Sequence, residues 1–211
     1  MTCALRFTEK MVGSFMFGQD QYAAGDALGT ADGISLLFHL TIGTEDVDAF
    51  VTDPTHAAVA QGYVDCDALG GRMPVQAGLF NLFVDDGTRA RRMLYRLYFS
   101  DPTGRPLTLA GFKDVRPGPI TAVWPETSTL YTRILNGHVP VEDGGAGSTE
   151  GIVGSGILRI RVPDFAWQLT TFRVDGPSWG LRVKAFDDFG RLFLAELWHV
   201  FVPFRRVLGR G

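Results

Sequence analysis

Lys113, Glu126 and Tyr131 make the strongest case in this sequence for chemistry on a small organic molecule. A lysine ammonium and a tyrosine hydroxyl can hydrogen-bond a carbonyl oxygen as it gains negative charge. A carboxylate nearby can move a proton if its surroundings tune it towards the working pH. His39, Asn81, Tyr95, Trp124 and Arg133 are the candidate substrate contacts, with Arg96 as a further charge in a strand-like run. His39 offers a second proton carrier, since it sits mid-strand among apolar neighbours and would be neutral if buried. Polar groups converging in an aromatic surround are the usual make-up of a small-molecule pocket. The plainer reading stands beside it: Arg96 and Arg133 stacked outside the fold, tyrosines present because strands favour them, and His39 hydrogen-bonded in a core.

Other chemistry-bearing patterns reduce to structure. Gly176-Pro-Ser178-Trp-Gly180 is a literal G-x-S-x-G, followed by Asp187, Asp188 and His199. A nucleophile elbow needs that serine between a parallel strand and a helix, whereas the preceding chain has no alternating strand–helix units. A Gly-Pro-Ser turn is the simpler reading. GIVGSGILRI (151–160) lacks the third glycine of the dinucleotide fingerprint, and no helix opens after it. GGAGS (144–148) lacks the lysine of a phosphate loop. Asp46, Asp48, Asp53 and His56 are metal-ligating types, yet their spacing matches no metal-binding loop and suits an acidic helix start. Neither a cofactor nor a metal is expected.

The bulk composition bounds the partners. A chain of 211 residues with 45% hydrophobic and 20% charged residues can fill a core and is not disordered. A net charge of −3 argues against a nucleic-acid surface. The local cluster Arg89, Arg91 and Arg92 reads as a charged hairpin edge. Two cysteines, Cys3 and Cys66, are too few for a disulfide scaffold or a structural zinc site. No apolar run reaches about 18 residues and no charged-then-apolar leader opens the chain, so a cytoplasmic protein without a transmembrane segment is expected.

The elements that must position these residues are mostly strands. Leu36, Phe38, Leu40 and Ile42 alternate with Ser35, Leu37, His39 and Thr41, and Met93, Tyr95, Leu97 and Phe99 alternate with Leu94, Arg96 and Tyr98. DPTG (101–104) sets a type I turn, and Leu107 to Val115 answers as the hairpin partner. Further strands are read over 5–17, 57–68, 74–84, 129–135 and 157–162. TEDVDAFVTDP and VPDFAWQLTTF read as short helices. In the last element Phe186, Phe189, Phe193, Leu197 and Val200 share one helical face. The expected architecture is mainly β: an antiparallel barrel, lipocalin-like or a strongly curved sheet, of about eight strands with a long C-terminal helix as cover. It is read as one domain over 1–211, with flexible loops near 18–33 and 142–151.

The runs GLFNLF, RMLYRLYF, PLTLAGFKDV, WPETSTLYTRIL and GILRIRVPDFAWQLTTF carry a resemblance spanning FTEKMVGSF to FGRLFLAELW. The chain resembles the accessory region of large bacterial cholesterol-oxidase-like proteins of the glucose–methanol–choline oxidoreductase type. The resemblance implies apolar, sterol-like or polyketide-like substrates, and either action alone or with a separate oxidoreductase partner. It transfers no catalytic residue. The reading drawn from all this is a barrel enclosing an apolar small molecule, with a homodimer or a separate oxidoreductase as the partner it could have. It would act as a cofactor-independent cyclase or isomerase of secondary metabolism, or as a non-catalytic metabolite carrier or accessory module.

Overall fold

The computed structural model describes residues 2–85, 91–115, 127–140 and 151–201. Its ten strands are β1 (Ala4–Phe17), β2 (Ser35–Thr44), β3 (Ala57–Cys66), β4 (Gly71–Pro74), β5 (Ala77–Asp85), β6 (Arg91–Ser100), β7 (Pro106–Val115), β8 (Thr129–Asn136), β9 (Ile152–Arg159) and β10 (Arg173–Asp175). The helices are α1 (Tyr22–Asp32), α2 (Val47–Thr52), α3 (Val162–Thr170) and α4 (Trp179–Phe201).

Eight of the strands close an antiparallel barrel in the order β1-β2-β3-β5-β6-β7-β8-β9, and β9 returns to pair with β1. β4 extends β3, and β10 pairs with the start of β1. The expected mainly β barrel with a C-terminal helix is therefore the fold. Period-2 alternation decides which residues face inward. Directly paired residues share a face: Met11 with Phe38, Phe38 with Val64, Leu97 with Leu109, and Leu109 with Ile134. These six are completely buried. A phenylalanine or leucine taken fully out of water contributes about 1.5–3 kcal/mol, so the interior of the ring supplies the main driving force for closure.

Local signals hold the connections. Asp101 accepts hydrogen bonds from the Thr103 and Arg105 amides and the Thr103 hydroxyl, fixing the β6–β7 hairpin that DPTG predicts. The Asp46 carboxylate caps α2 by accepting from the Ala49 amide. Ser178 caps α4 in the same way, its Oγ accepting from the Leu181 amide at 3.3 Å. The serine of the G-x-S-x-G is thus a helix-capping residue. GIVGSGILRI contains the whole of β9, which begins at Ile152, five residues earlier than the alternation alone indicates. Among the described residues no helix is long and apolar enough to cross a membrane.

The segment 18–33 corrects an expectation. Its four glycines predict a flexible loop, yet Tyr22–Asp32 is a helix, ended by Gly33 in the left-handed conformation. Gly25 and Gly29 are its buried residues. A Cβ on Gly25 would strike the Ser155 carbonyl, and one on Gly29 the backbone of Phe15. The helix therefore packs backbone against backbone, which needs small residues rather than an apolar stripe. The second expected loop, 142–150, lies outside the described residues, as do residues 86–90 of the β5–β6 connection.

Packing and propensity make opposite forecasts for Gly29→Ala. Helix propensity favours alanine by about 1 kcal/mol. The collision with Phe15 will instead lower stability by about 1–3 kcal/mol, read from the urea midpoint at unchanged slope.

Candidate functional site

Glu9, Tyr95 and Lys113 meet inside the barrel. Glu9 lies on the inward face of β1, between Phe7 and Met11, and is 2% exposed. Its Oε1 accepts from Lys113 Nζ at 2.6 Å, and its Oε2 accepts from the Tyr95 hydroxyl at 2.7 Å. Lys113 Nζ also stands 5.2 Å from the centre of the Tyr95 ring. β1 and β6 are four strands apart by either route around the eight-strand ring, so the Glu9–Tyr95 hydrogen bond joins opposite walls. The cluster crosses the lumen as a polar strut.

Its surroundings are apolar. Glu9 pairs across strands with Leu40, and Tyr95 packs on Phe38 at 5.6 Å and Phe80 at 5.0 Å between ring centres. Burial pushes the Tyr95 hydroxyl well above its ordinary range, and the adjacent Glu9 charge and hydrogen bond add to the shift. The phenol therefore remains a donor at any physiological pH. A carboxylate, an ammonium and a phenol in one dry site make a proton-transfer and oxyanion-binding constellation. They also make an expensive one, because an apolar trio of similar volume commonly stabilises a core as well or better.

Both halves of the lumen are closely packed. Beyond the strut, towards the β6–β7 hairpin, Met11, Phe15, Leu36, Leu97, Phe99 and Leu109 are within 1% of complete burial. Towards the end covered by α2 and α4, Phe7, Ala58, Phe80 and Met93 keep 3–9% exposure, while Leu5, Ile42, Val47 and Val115 are at most 2% exposed.

Of the residues picked out from sequence, Lys113 and Tyr95 are brought together here. Tyr131 is not. β8 presents Leu130, Thr132 and Ile134 inward, which turns Tyr131 and Arg133 outward. Tyr131 stacks on Phe112 at 5.3 Å and meets the edge of Tyr22 at 5.6 Å. Arg133 lies over the Tyr22 ring and donates to the Asp20 carbonyl at 3.1 Å, tying the start of α1 to the barrel wall. Arg96 is buried on the outward face of β6. Asn81 sits at the β5 bulge and donates to the Thr55 carbonyl at 3.0 Å, a rim contact. His39 is on the outer wall, half-buried, with its ring 5.5 Å from Tyr63 and 5.9 Å from Trp167. Burial lowers its pKa, helped by Lys10 and Arg72. Trp124 and Glu126 lie outside the described residues.

The residue that sequence reading missed is Glu9. Its signal was present: in the run from Leu5 to Phe15, Glu9 is the only charge on the odd-numbered face, among Leu5, Phe7, Met11 and Phe15. The metal-type residues are engaged elsewhere: Asp46 caps α2, Asp48 pairs with Lys184, Asp53 accepts from Thr55, and His56 Nδ1 contacts the Phe50 carbonyl. Among the described residues no three metal-ligating side chains cluster. Comparison with protein families, curated proteins and solved structures gives no match to this chain.

Two measurements check this geometry. Lys113→Met, which leaves Glu9 buried without its cation, will cost about 3–5 kcal/mol in chemical denaturation, and the double change Glu9→Leu/Lys113→Met will recover most of it. For His39, the unfolded chain takes the proton first. Its stabilising contribution is complete above its usual 6.5 and is lost as pH falls below it towards the lowered folded value. The wild-type Tm will therefore drop more steeply than that of His39→Gln on acidification through this window.

Proposed function

We propose that the barrel binds an apolar small molecule bearing a carbonyl group and catalyses proton transfer beside that carbonyl, as a cofactor-independent isomerase or cyclase. The observation that carries this reading is the Glu9–Lys113–Tyr95 cluster, drawn from three strands into an otherwise apolar lumen. Its cost to stability marks it as a candidate functional site, because buried charged groups held in strained electrostatic settings cluster at such sites. In the proposed step the Glu9 carboxylate removes a proton from the carbon next to the carbonyl. The electron pair moves onto the carbonyl oxygen, which accepts hydrogen bonds from Lys113 and Tyr95. Return of the proton to a different carbon completes an isomerisation. Alternatively the enolate carbon attacks a second carbonyl of the same molecule, forming a ring, and the Glu9 proton passes to the new alkoxide. The apolar walls hold the flexible substrate folded, and orientation alone removes several kcal/mol of such a barrier. Lys113 keeps the oxyanion role read from sequence, while Glu9 and Tyr95 take the positions first given to Glu126 and Tyr131.

The tight packing beyond the strut favours a second reading, in which the barrel is a non-catalytic carrier or the binding module of a separate oxidoreductase. The resemblance to oxidase accessory regions accords with it.

Native mass spectrometry of the purified protein, then denaturation, will identify a bound apolar carbonyl compound for a turnover assay. Glu9→Gln and Lys113→Met will each lower its turnover by about 10²–10⁴-fold with a much smaller change in affinity. Tyr131→Phe, on the outer wall, will leave both unchanged. Modest loss of affinity with no turnover in any variant would favour the carrier.

A further inference from the structure

The geometry points to α4 as a hinged lid over the entrance to the lumen, at the end it covers together with α2. This rests on the proposed lumen site and names its route of access. Three observations carry it.

The first is how lightly the helix is attached. Of residues 179–193, whose side chains are described, only Ala185 and Phe189 are buried. Beyond those two, Leu192 and Phe193 are only half-buried against the core, and Lys184 pairs with Asp48 of α2 at 3.2 Å, a link between exposed groups that is worth little. Trp179, Val183 and Phe186 point to solvent, with Trp179 73% exposed, so the face expected to cover the barrel is only partly used. Phe186 in particular is exposed rather than part of the covering stripe.

The second is a continuous run of rings from the strut to the helix. Tyr95 meets Phe80, Phe80 meets Phe7 at 6.3 Å, Phe7 stacks on Phe172 at 4.9 Å, and Phe172 meets Phe189 at 5.9 Å. Phe189 is the plug at the outer end of this run. Rings in sequence can tilt or withdraw without leaving a buried polar group unpaired, which suits a passage for an apolar guest.

The third is an irregular backbone at the rim beneath the helix. His56 and Phe83 both hold positive φ, 42° and 52°, a conformation that residues with side chains seldom adopt. They belong to adjacent rim segments joined by the Leu82 amide donating to the His56 carbonyl. Phe83 packs under Phe193 of α4, and His56 against Phe50 of α2. Phe83 lies in the β5 bulge, so the rim is irregular where the helix rests on it.

Hydrogen exchange of the full chain tests the lid. Amides of residues 182–193 will exchange at least about a hundredfold faster than those of β1 and β2, by local opening rather than global unfolding. Phe189→Ala will speed helix exchange about tenfold or more, leave β1 and β2 protection unchanged, and accelerate uptake of the neutral apolar dye N-phenyl-1-naphthylamine in stopped flow. Phe189→Leu, a smaller change at the same plug, will act in the same direction if Phe189→Ala fails to fold. Equal protection of α4 and the barrel strands would overturn the lid. So would dye uptake that stays unchanged while the helix exchanges faster. Dye uptake that is absent from the wild type and from both variants would remove the lumen site, and with it the entrance, even where the helix opens.

Discussion

Closure of the ring on β1 is the constraint from which the other features follow. This one strand carries three pairings: residues 5–14 with β2, 12–17 with β9, and 4–6 with β10. At Val12–Ser14 it is bonded on both sides, and there the sheet becomes a barrel with no free edge between its first and last strands. Once the ring is closed, the inward residues of every strand must fit one another across a fixed width. The complete burial of Met11, Phe38 and Leu109 expresses that fit.

Closure also gives the buried charge its meaning. In an open sheet Glu9 would find water, but inside the ring it finds only what the opposite wall supplies, Lys113 and Tyr95. The three side chains therefore tie the pairing of β1 to that of β6 and β7. A slip of one residue in any of these strands would turn its polar group to the outer wall and leave the other two unsatisfied. The cluster thus specifies one registry of the barrel, and the same cluster is what the lumen offers to a guest.

Much of the architecture was legible because strand alternation is a local property. The inward set of β2 and the β6–β7 hairpin both follow from period 2 and from the hydrogen-bonding of Asp101. Registry is not local. Tyr131 and Lys113 look like companions in the sequence, yet β7 and β8 align Tyr131 with Phe112, one residue away from Lys113, which places them on opposite sides of the wall. Glu9 was overlooked for a related reason. A single glutamate near the start of a strand reads as solvated until a lysine 104 residues later is known to stand opposite it. The α1 helix escaped because its docking uses the absence of side chains at Gly25 and Gly29, and hydrophobic periodicity is blind to absence.

Glu9 also orders events during synthesis. The residues that satisfy it lie 86 and 104 positions downstream, and the strand that closes the ring on β1 begins only at Ile152. While a ribosome extends the chain, β1 and β2 can pair only as part of an open sheet, which β3 widens, with one apolar face and one lone carboxylate. That carboxylate keeps water on a face which would otherwise invite association with another nascent chain. The charge that is costly in the finished barrel is therefore a solubilising group in its precursor.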